Sequence, residues 1–158
     1  NREGMNMKLA EALQERADIN RQIARLNARL AANAVTQEGE VPAEDPAELL
    51  KRLDGCLARL EALMARINLV NSETIVNGRT LTEMIARRDC LRARIASYQK
   101  LIDAASQGLQ RMGRSEIRIV RAVDVRALQK DVDTFSAEQR RLDNEIQHAN
   151  WTTELSLE

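Results

Sequence analysis

One glutamate and one histidine have the types and spacing of metal ligands. His148 is the only histidine of the chain, and Glu145 precedes it by three residues. Glu-x-x-His is half of the pattern that di-metal carboxylate proteins use, and a complete centre needs two halves with further glutamates. One chain supplies one half, so this interpretation places a divalent metal between two copies of the chain. We favour the other interpretation, a surface histidine stabilised by the dipole at a helix end, and we expect no cofactor.

The other reactive residue types form no catalytic motif. Cys56 and Cys90 lie in two predicted helices that fold back on each other, with an axial offset of about 9 Å at 1.5 Å per residue. A disulfide requires α-carbons within about 7 Å, so we expect two free thiols. Glycine-rich phosphate loops, nucleophile elbows and paired-cysteine motifs are absent from the sequence. We therefore predict no catalytic residues and interpret the chain as a non-enzymatic protein.

The charges exclude some partners. The chain has 24 basic and 24 acidic residues, interleaved along its length, and one residue each of Trp, Tyr and Phe. Nucleic-acid binding usually requires a basic stripe or aromatic stacking platforms, so it is not expected.

The longest uncharged stretches have eight residues, at 30–37 and 146–153, which is too short for a transmembrane helix. No secretory signal is recognised near the start, and we predict a cytoplasmic location.

Four helices must position these residues. Apolar residues recur alternately three and four positions apart in four blocks, which is typical of helices that pack lengthwise. We predict helices over about 7–32, 46–71, 81–112 and 125–150. The stripe positions are Leu9, Ala12, Arg16, Ile19, Ile23, Leu26 and Leu30; Leu50, Leu53, Leu57, Leu60, Met64, Ile67 and Asn71; Leu81, Met84, Arg88, Leu91, Ile95, Tyr98, Ile102 and Ala105; and Val125, Leu128, Val132, Phe135, Gln139, Leu142, Ile146 and Ala149.

The connecting segments carry turn and capping signals. Residues 34–46 are predicted to be a loop, Asp45 followed by proline indicates a helix start, and Asp124 is expected to cap the fourth helix. Asn77-Gly78 favours a small hairpin near residues 73–80, in competition with the capping box Thr80–Glu83. The β-branched segment 115–123 predicts a strand, whose partner is either residues 73–77 or a second copy. Residues 1–6 are interpreted as leader and 150–158 as a tail.

Gly55 and four polar stripe positions need separate explanations. Gly55, in the middle of the second helix, costs about 1 kcal/mol relative to alanine and indicates either the close approach of a neighbour or a bend. The polar stripe positions are expected to fix helix register through neighbouring acids or amides. An alternative makes Arg88 an anion-binding or ion-pair centre. These four positions are Arg16, Asn71, Arg88 and Gln139.

Together these features predict an all-α fold: long antiparallel helices in a coiled-coil-like bundle with a minor β element, in one elongated domain spanning 1–158. Each helix has a narrow apolar stripe with charged flanks, which favours further burial between chains. We therefore expect a homo-oligomer, a dimer or higher, with a self-assembly or scaffolding role.

Several short segments resemble the septicolysin-like family of small bacterial proteins. They are Met7–Asp18, Asn77–Glu83 with Ala86–Asp89, Ser115–Ile117 and Asn150–Leu155. The resemblance implies a pore-forming or haemolytic activity, with a membrane as partner, and it implies no catalytic residues. This membrane-active function is the first alternative to self-assembly, and a metal-binding helical bundle is the second.

Overall fold

The computed structural model describes residues 6–110 and 117–157 of the chain. The chain folds into two compact units. Unit 1 contains residues up to Thr74 together with the segment from His148 onward, and unit 2 contains Ile75–Gln147. The described residues form four long helices and four two-residue strands. The predicted all-α class with minor β elements is therefore confirmed.

Unit 1 is built on a hairpin of two helices, α1 (Leu9–Ala32) and α2 (Pro46–Glu73). Asp45 caps α2 as predicted, because its carboxylate accepts a hydrogen bond of 3.0 Å from the Ala47 amide. The two helices run antiparallel, with Glu15 opposite Arg59. The buried apolar side chains of the pair are Leu9, Ala10, Ala12, Ile19, Leu26, Leu49, Leu63, Ile67 and Val70.

The loop between α1 and α2 is fastened to the end of α1. The buried Asn33 side chain donates to the carbonyl of Arg29 at 2.9 Å and accepts from the Glu44 amide at 3.0 Å. The Arg29 Nε atom donates to both carboxylate oxygens of Glu44, at 3.1 and 3.0 Å. The predicted loop over 34–46 is therefore present, and its exit is held close to the last turn of α1.

A second feature of unit 1 joins the two ends of the described chain. Strand β1 (Met7–Lys8) pairs antiparallel with the last strand, β4 (Glu154–Leu155), and the Leu9 amide donates to the Thr153 carbonyl at 2.8 Å. Arg66 of α2 also donates to the Ser156 carbonyl at 2.5 Å. The sequence predicted a tail here, but local signals do not identify a strand whose partner lies at the other end of the chain.

Unit 2 begins with a hairpin of β2 (Ile75–Val76) and β3 (Arg79–Thr80). Asn77 and Gly78 form its turn at φ 51° and 80°, the left-handed values that a type I′ turn requires. Thr80 also caps the next helix by accepting from the Glu83 amide at 3.1 Å. The two competing sequence signals are both realised, because the hairpin ends at the residue that caps the helix.

The helices of unit 2 are α3 (Leu81–Gln110) and α4 (Val125–Thr152), the end of which belongs to unit 1. Asp124 caps α4 as expected, since its carboxylate accepts from the Ala127 amide at 3.1 Å. The rings of Tyr98 and Phe135 meet edge to face with centroids 5.3 Å apart. The largely buried apolar residues of the unit are Leu81, Met84, Leu91, Ile102, Val132, Leu142 and Ile146.

The strand predicted at 115–123 is wrong for the part that the structure describes. Residues 117–124 form bends and irregular chain with no strand among them, and residues 115–116 lie outside the described residues. Of the two partners considered for this strand, residues 73–77 contribute Ile75 and Val76 to the hairpin with β3 instead. The β-branched residues of the segment favour extended backbone, but this preference does not supply the hydrogen bonds of a sheet.

Candidate functional site

The predicted metal ligands lie one turn apart on α4 in different surroundings. Glu145 is half-buried and lines a groove of about 430 Å³ with Asn77, Arg79 and Arg141. His148 is exposed, and its carbonyl accepts a hydrogen bond from the Thr152 hydroxyl. Within residues 6–110 and 117–157, no three His, Cys, Asp or Glu side chains are grouped so that they could hold a metal. A metal between two copies stays a prediction.

Arg88, the alternative ionic centre, is held by carboxylates. Its guanidinium lies 3.2 Å from Asp89 and 3.6 Å from Asp143, which also pairs with Arg92 at 3.2 Å. The neighbouring Arg87 also forms an ion pair, because it donates to both carboxylate oxygens of Glu138. Carboxylates therefore satisfy Arg88, which supports its expected role in fixing how α3 and α4 pack.

The two surfaces with most potential for binding both belong to α2. The first, which we call the outer stripe, consists of Leu50, Leu57 and Met64, with exposed fractions of 49%, 44% and 44%. These residues recur every seven positions, so they lie on one face of α2. Leu53 and Leu60 lie between them and are half-buried.

Only part of the predicted stripe of α2 faces α1 within unit 1. The buried residues of this helix are Leu49, Leu63, Ile67 and Val70, so the covered face is rotated away from the predicted seam. In the stripes predicted for the other three helices, every position is buried or half-buried. The outer stripe is thus the part of the predicted apolar pattern that the chain does not cover.

The second surface, which we call the arginine groove, runs along the α1–α2 hairpin and has a volume of about 730 Å³. The side chains of α1 that line it recur three and four residues apart, and those of α2 occupy about two turns. The lining residues are Glu15, Asp18, Ile19, Gln22, Arg25, Leu26, Arg29, Arg52, Gly55, Cys56 and Arg59. Four of these eleven residues are arginines and two are acids.

Ion pairs fix two of the groove arginines. Arg59 donates to both carboxylate oxygens of Glu15, at 2.7 and 3.0 Å, and this hydrogen bonding raises the pKa of Arg59 above its usual value. The side-chain hydrogen bond with Glu44 likewise raises the pKa of Arg29, although partial burial opposes the effect. The same bond lowers the pKa of the Glu44 carboxyl. In both pairs the hydrogen bonds favour the charged form of the arginine and hold its guanidinium in place.

The middle of the groove contains the smallest residues of its lining. No atom outside the local helix lies within 4 Å of the position that a Cβ would take at Gly55. The close approach of a neighbour, one of the two explanations considered for this glycine, is therefore wrong. The adjacent Cys56 has a free thiol that lies 3.5 Å from the Gln22 side-chain oxygen. Gly55 instead leaves space between the two helices.

The sequence contained a signal for this groove that the stripe analysis did not use. Arg52 and Arg59 are seven residues apart on α2, and Arg25 and Arg29 are four apart on α1. Such spacings place each pair on one face of its helix. The missing information was which faces of the two helices are adjacent, and this depends on how the hairpin closes.

Comparisons with known proteins identify relatives without an assigned function. A model of a protein family, described as a family of unknown function (DUF6847), matches residues 16–155. The chain is also similar to a protein from Corynebacterium diphtheriae, whose crystal structure is described as that of a functionally unknown conserved protein. The two share 39% sequence identity with a TM-score of 0.90, over 96% of this chain and 99% of that chain. No curated protein matches.

These findings overturn the resemblance to the septicolysin-like family. The matching family and the similar crystal structure both lack a known function, and neither points to a septicolysin. The segments behind the resemblance include the capping box Thr80–Glu83 and a helix start, which recur in unrelated proteins because local structure requires them. The pore-forming expectation rested on this resemblance and is left without support. None of the described helices has the length and the hydropathy that a transmembrane span requires.

Proposed function

The chain belongs to the family DUF6847, and we propose that it functions as a self-associating helical module. In this proposal, the outer stripe of one copy packs against the outer stripe of a second copy around a two-fold axis. Two-fold dimers are the commonest soluble assemblies, and their interface uses the same surface of both subunits. The role is one of assembly or scaffolding, without catalysis.

The observation that carries the proposal is the exposure of Leu50, Leu57 and Met64 at heptad spacing. From Leu50 to Met64 the stripe extends about 21 Å along α2, at 1.5 Å per residue. An apolar row that repeats every seven residues is the pattern by which helices pair lengthwise. Leu53 and Leu60 lie beside this row and would lose further exposed surface in a helix pair.

The size of the stripe indicates the strength of the association. A standard stable interface contains about 20–30 residues on each side, whereas three side chains and their immediate neighbours make a smaller contact. Fully burying one leucine contributes about 1.5–3 kcal/mol, and slightly less than half of each stripe side chain is available for burial. We therefore expect a reversible, concentration-dependent dimer.

The free thiols bear on the location of the protein. Cys56 is half-buried and Cys90 is exposed, and both are unpaired thiols. Exposed thiols persist most readily in a reducing compartment. We therefore include a cytoplasmic location in the proposal.

Light scattering over a range of protein concentrations tests the proposal. We expect the average mass of the natural chain to rise from that of one copy towards that of two. Leu57→Lys places a charge in the outer stripe and should keep the protein monomeric at all concentrations.

Leu69→Lys is the matched control. Leu69 is on the same helix and is 42% exposed, but it lies about 120° around the helix from Leu57 at 100° per residue. This variant should associate like the natural chain. A natural chain that is monomeric at every concentration, or a Leu57→Lys variant that still dimerises, would show that the outer stripe is not the interface.

A further inference from the structure

We propose that the arginine groove binds a small molecule that carries phosphate groups, and that Arg25 and Arg52 are the residues that hold them. This site is separate from the outer stripe, which lies on another face of α2. A phosphate ester or a polyphosphate has the chemistry that the groove would recognise.

The charges of the groove provide the first argument. Its carboxylates are already neutralised by arginines: Glu15 pairs with Arg59, and Asp18 pairs with Arg21. Arg29 in turn pairs with Glu44 at the end of the groove.

Two guanidiniums of the lining are left after these pairs. In the part of the chain that the structure describes, neither Arg25 nor Arg52 lies within 4 Å of a carboxylate. Arg52 interacts with Glu44 only at longer range. Two cations without a close partner, in one groove, give an excess positive charge that an anion would neutralise.

The shape of the groove provides the second argument. Its volume of about 730 Å³ falls in the range of about 300–1,000 Å³ that is usual for small-molecule sites. Gly55 keeps the groove open beside Arg52, since no side chain occupies the space above its α-carbon. Ile19 and Leu26 give the groove apolar surface for the remainder of such a molecule.

The residue types of the lining fit a phosphorylated small molecule better than a nucleic acid. A guanidinium presents a planar set of donors that binds phosphate oxygens in pairs. The lining contains no aromatic side chain on which a base would stack. Arg29 and Arg59 are fixed by their bidentate carboxylate partners, so the edges of the groove are ordered before a ligand enters, which lowers the entropic cost of binding.

Isothermal titration calorimetry tests the proposal: inorganic pyrophosphate is titrated into the full chain at low salt, and the dissociation constant is measured. Hydrogen bonds to charged groups contribute about 1.5–3 kcal/mol, and about 1.4 kcal/mol corresponds to a factor of ten. Arg25→Gln and Arg52→Gln should therefore each weaken binding at least about tenfold. Lys51→Gln is the matched control, because it removes the same charge from the exposed residue next to Arg52 and should change the affinity less than about twofold.

A second pair of variants tests the shape without changing the charge. Gly55→Leu fills the groove and should abolish binding, whereas Gly55→Ala adds one methyl group to open space and should leave it nearly unchanged. Both substitutions raise helix propensity, so the fold is retained. The proposal is overturned if the natural chain does not bind pyrophosphate at millimolar concentration, if Lys51→Gln weakens binding as much as Arg52→Gln, or if succinate binds as tightly as pyrophosphate.

Discussion

The same substitution at two leucines of α2 should have very different consequences for stability. Leu63 is completely buried, whereas Leu57, six residues earlier, is 44% exposed. Leu63→Ala leaves a cavity in the core of unit 1 and should lower the free energy of unfolding by about 3 kcal/mol, within the usual 2–5 kcal/mol. Leu57→Ala creates no enclosed cavity, and about half of the side chain's transfer free energy is lost, which amounts to about 1 kcal/mol.

Urea unfolding followed by circular dichroism measures this difference. Both residues lie in the same helix of the same unit, so the comparison holds even if the two units unfold separately. The measurement should use dilute protein, at which the outer stripe is not occupied by a second copy. Equal losses of stability in dilute protein would refute the assignment of Leu57 to the surface, and with it the outer stripe.

Three further predictions concern the loop between α1 and α2. Asn33→Ala removes both hydrogen bonds of a buried amide and should lower the free energy of unfolding by about 1–3 kcal/mol in urea titrations, whereas the exposed Asn27→Ala should have little effect. Asp45→Ala removes the N-cap of α2 and should cost about 1 kcal/mol in the same assay. Glu44→Gln tests the carboxyl whose pKa is lowered by its hydrogen bond with Arg29. The natural chain should gain stability from this carboxylate above its ordinary pKa of 4.5 and lose the gain as the pH falls through the lower folded value, so the thermal midpoints of the two proteins should converge in acid. A constant difference from neutral pH to about pH 3 would contradict this linkage.

The local features of the fold were predictable because their causes are local. Asp45, Thr80 and Asp124 each cap the helix that follows, as the sequence indicated. A capping side chain satisfies amides two or three residues away, so neighbouring residues are sufficient to identify it. The same holds for the Asn77-Gly78 turn, since its positive φ angles favour these two residue types.

Features that depend on distant partners could not be predicted in this way. Residues 117–123 have the composition of a strand but do not form one, whereas Met7–Lys8 and Glu154–Leu155 pair as strands without a strand-like pattern. The difference arises because a strand needs hydrogen-bonding partners, and their position is set by the path of the whole chain. The predicted ligands Glu145 and His148 illustrate the same limit, since their pattern indicates a chemistry but does not bring further ligands to it.

Local sequence patterns are sufficient to specify four amphipathic helices, their caps and the class of the fold, because helix periodicity and capping act over a few residues. Which apolar and charged faces are covered depends instead on how the helices pack. The apolar residues of α2 extend around more of the helix than α1 covers, so the rotation of α2 in the hairpin leaves Leu57 exposed and buries Leu63. That same rotation places Arg52 beside Gly55 in a groove shared with α1. Both candidate surfaces therefore follow from how two helices pack, which no local pattern specifies.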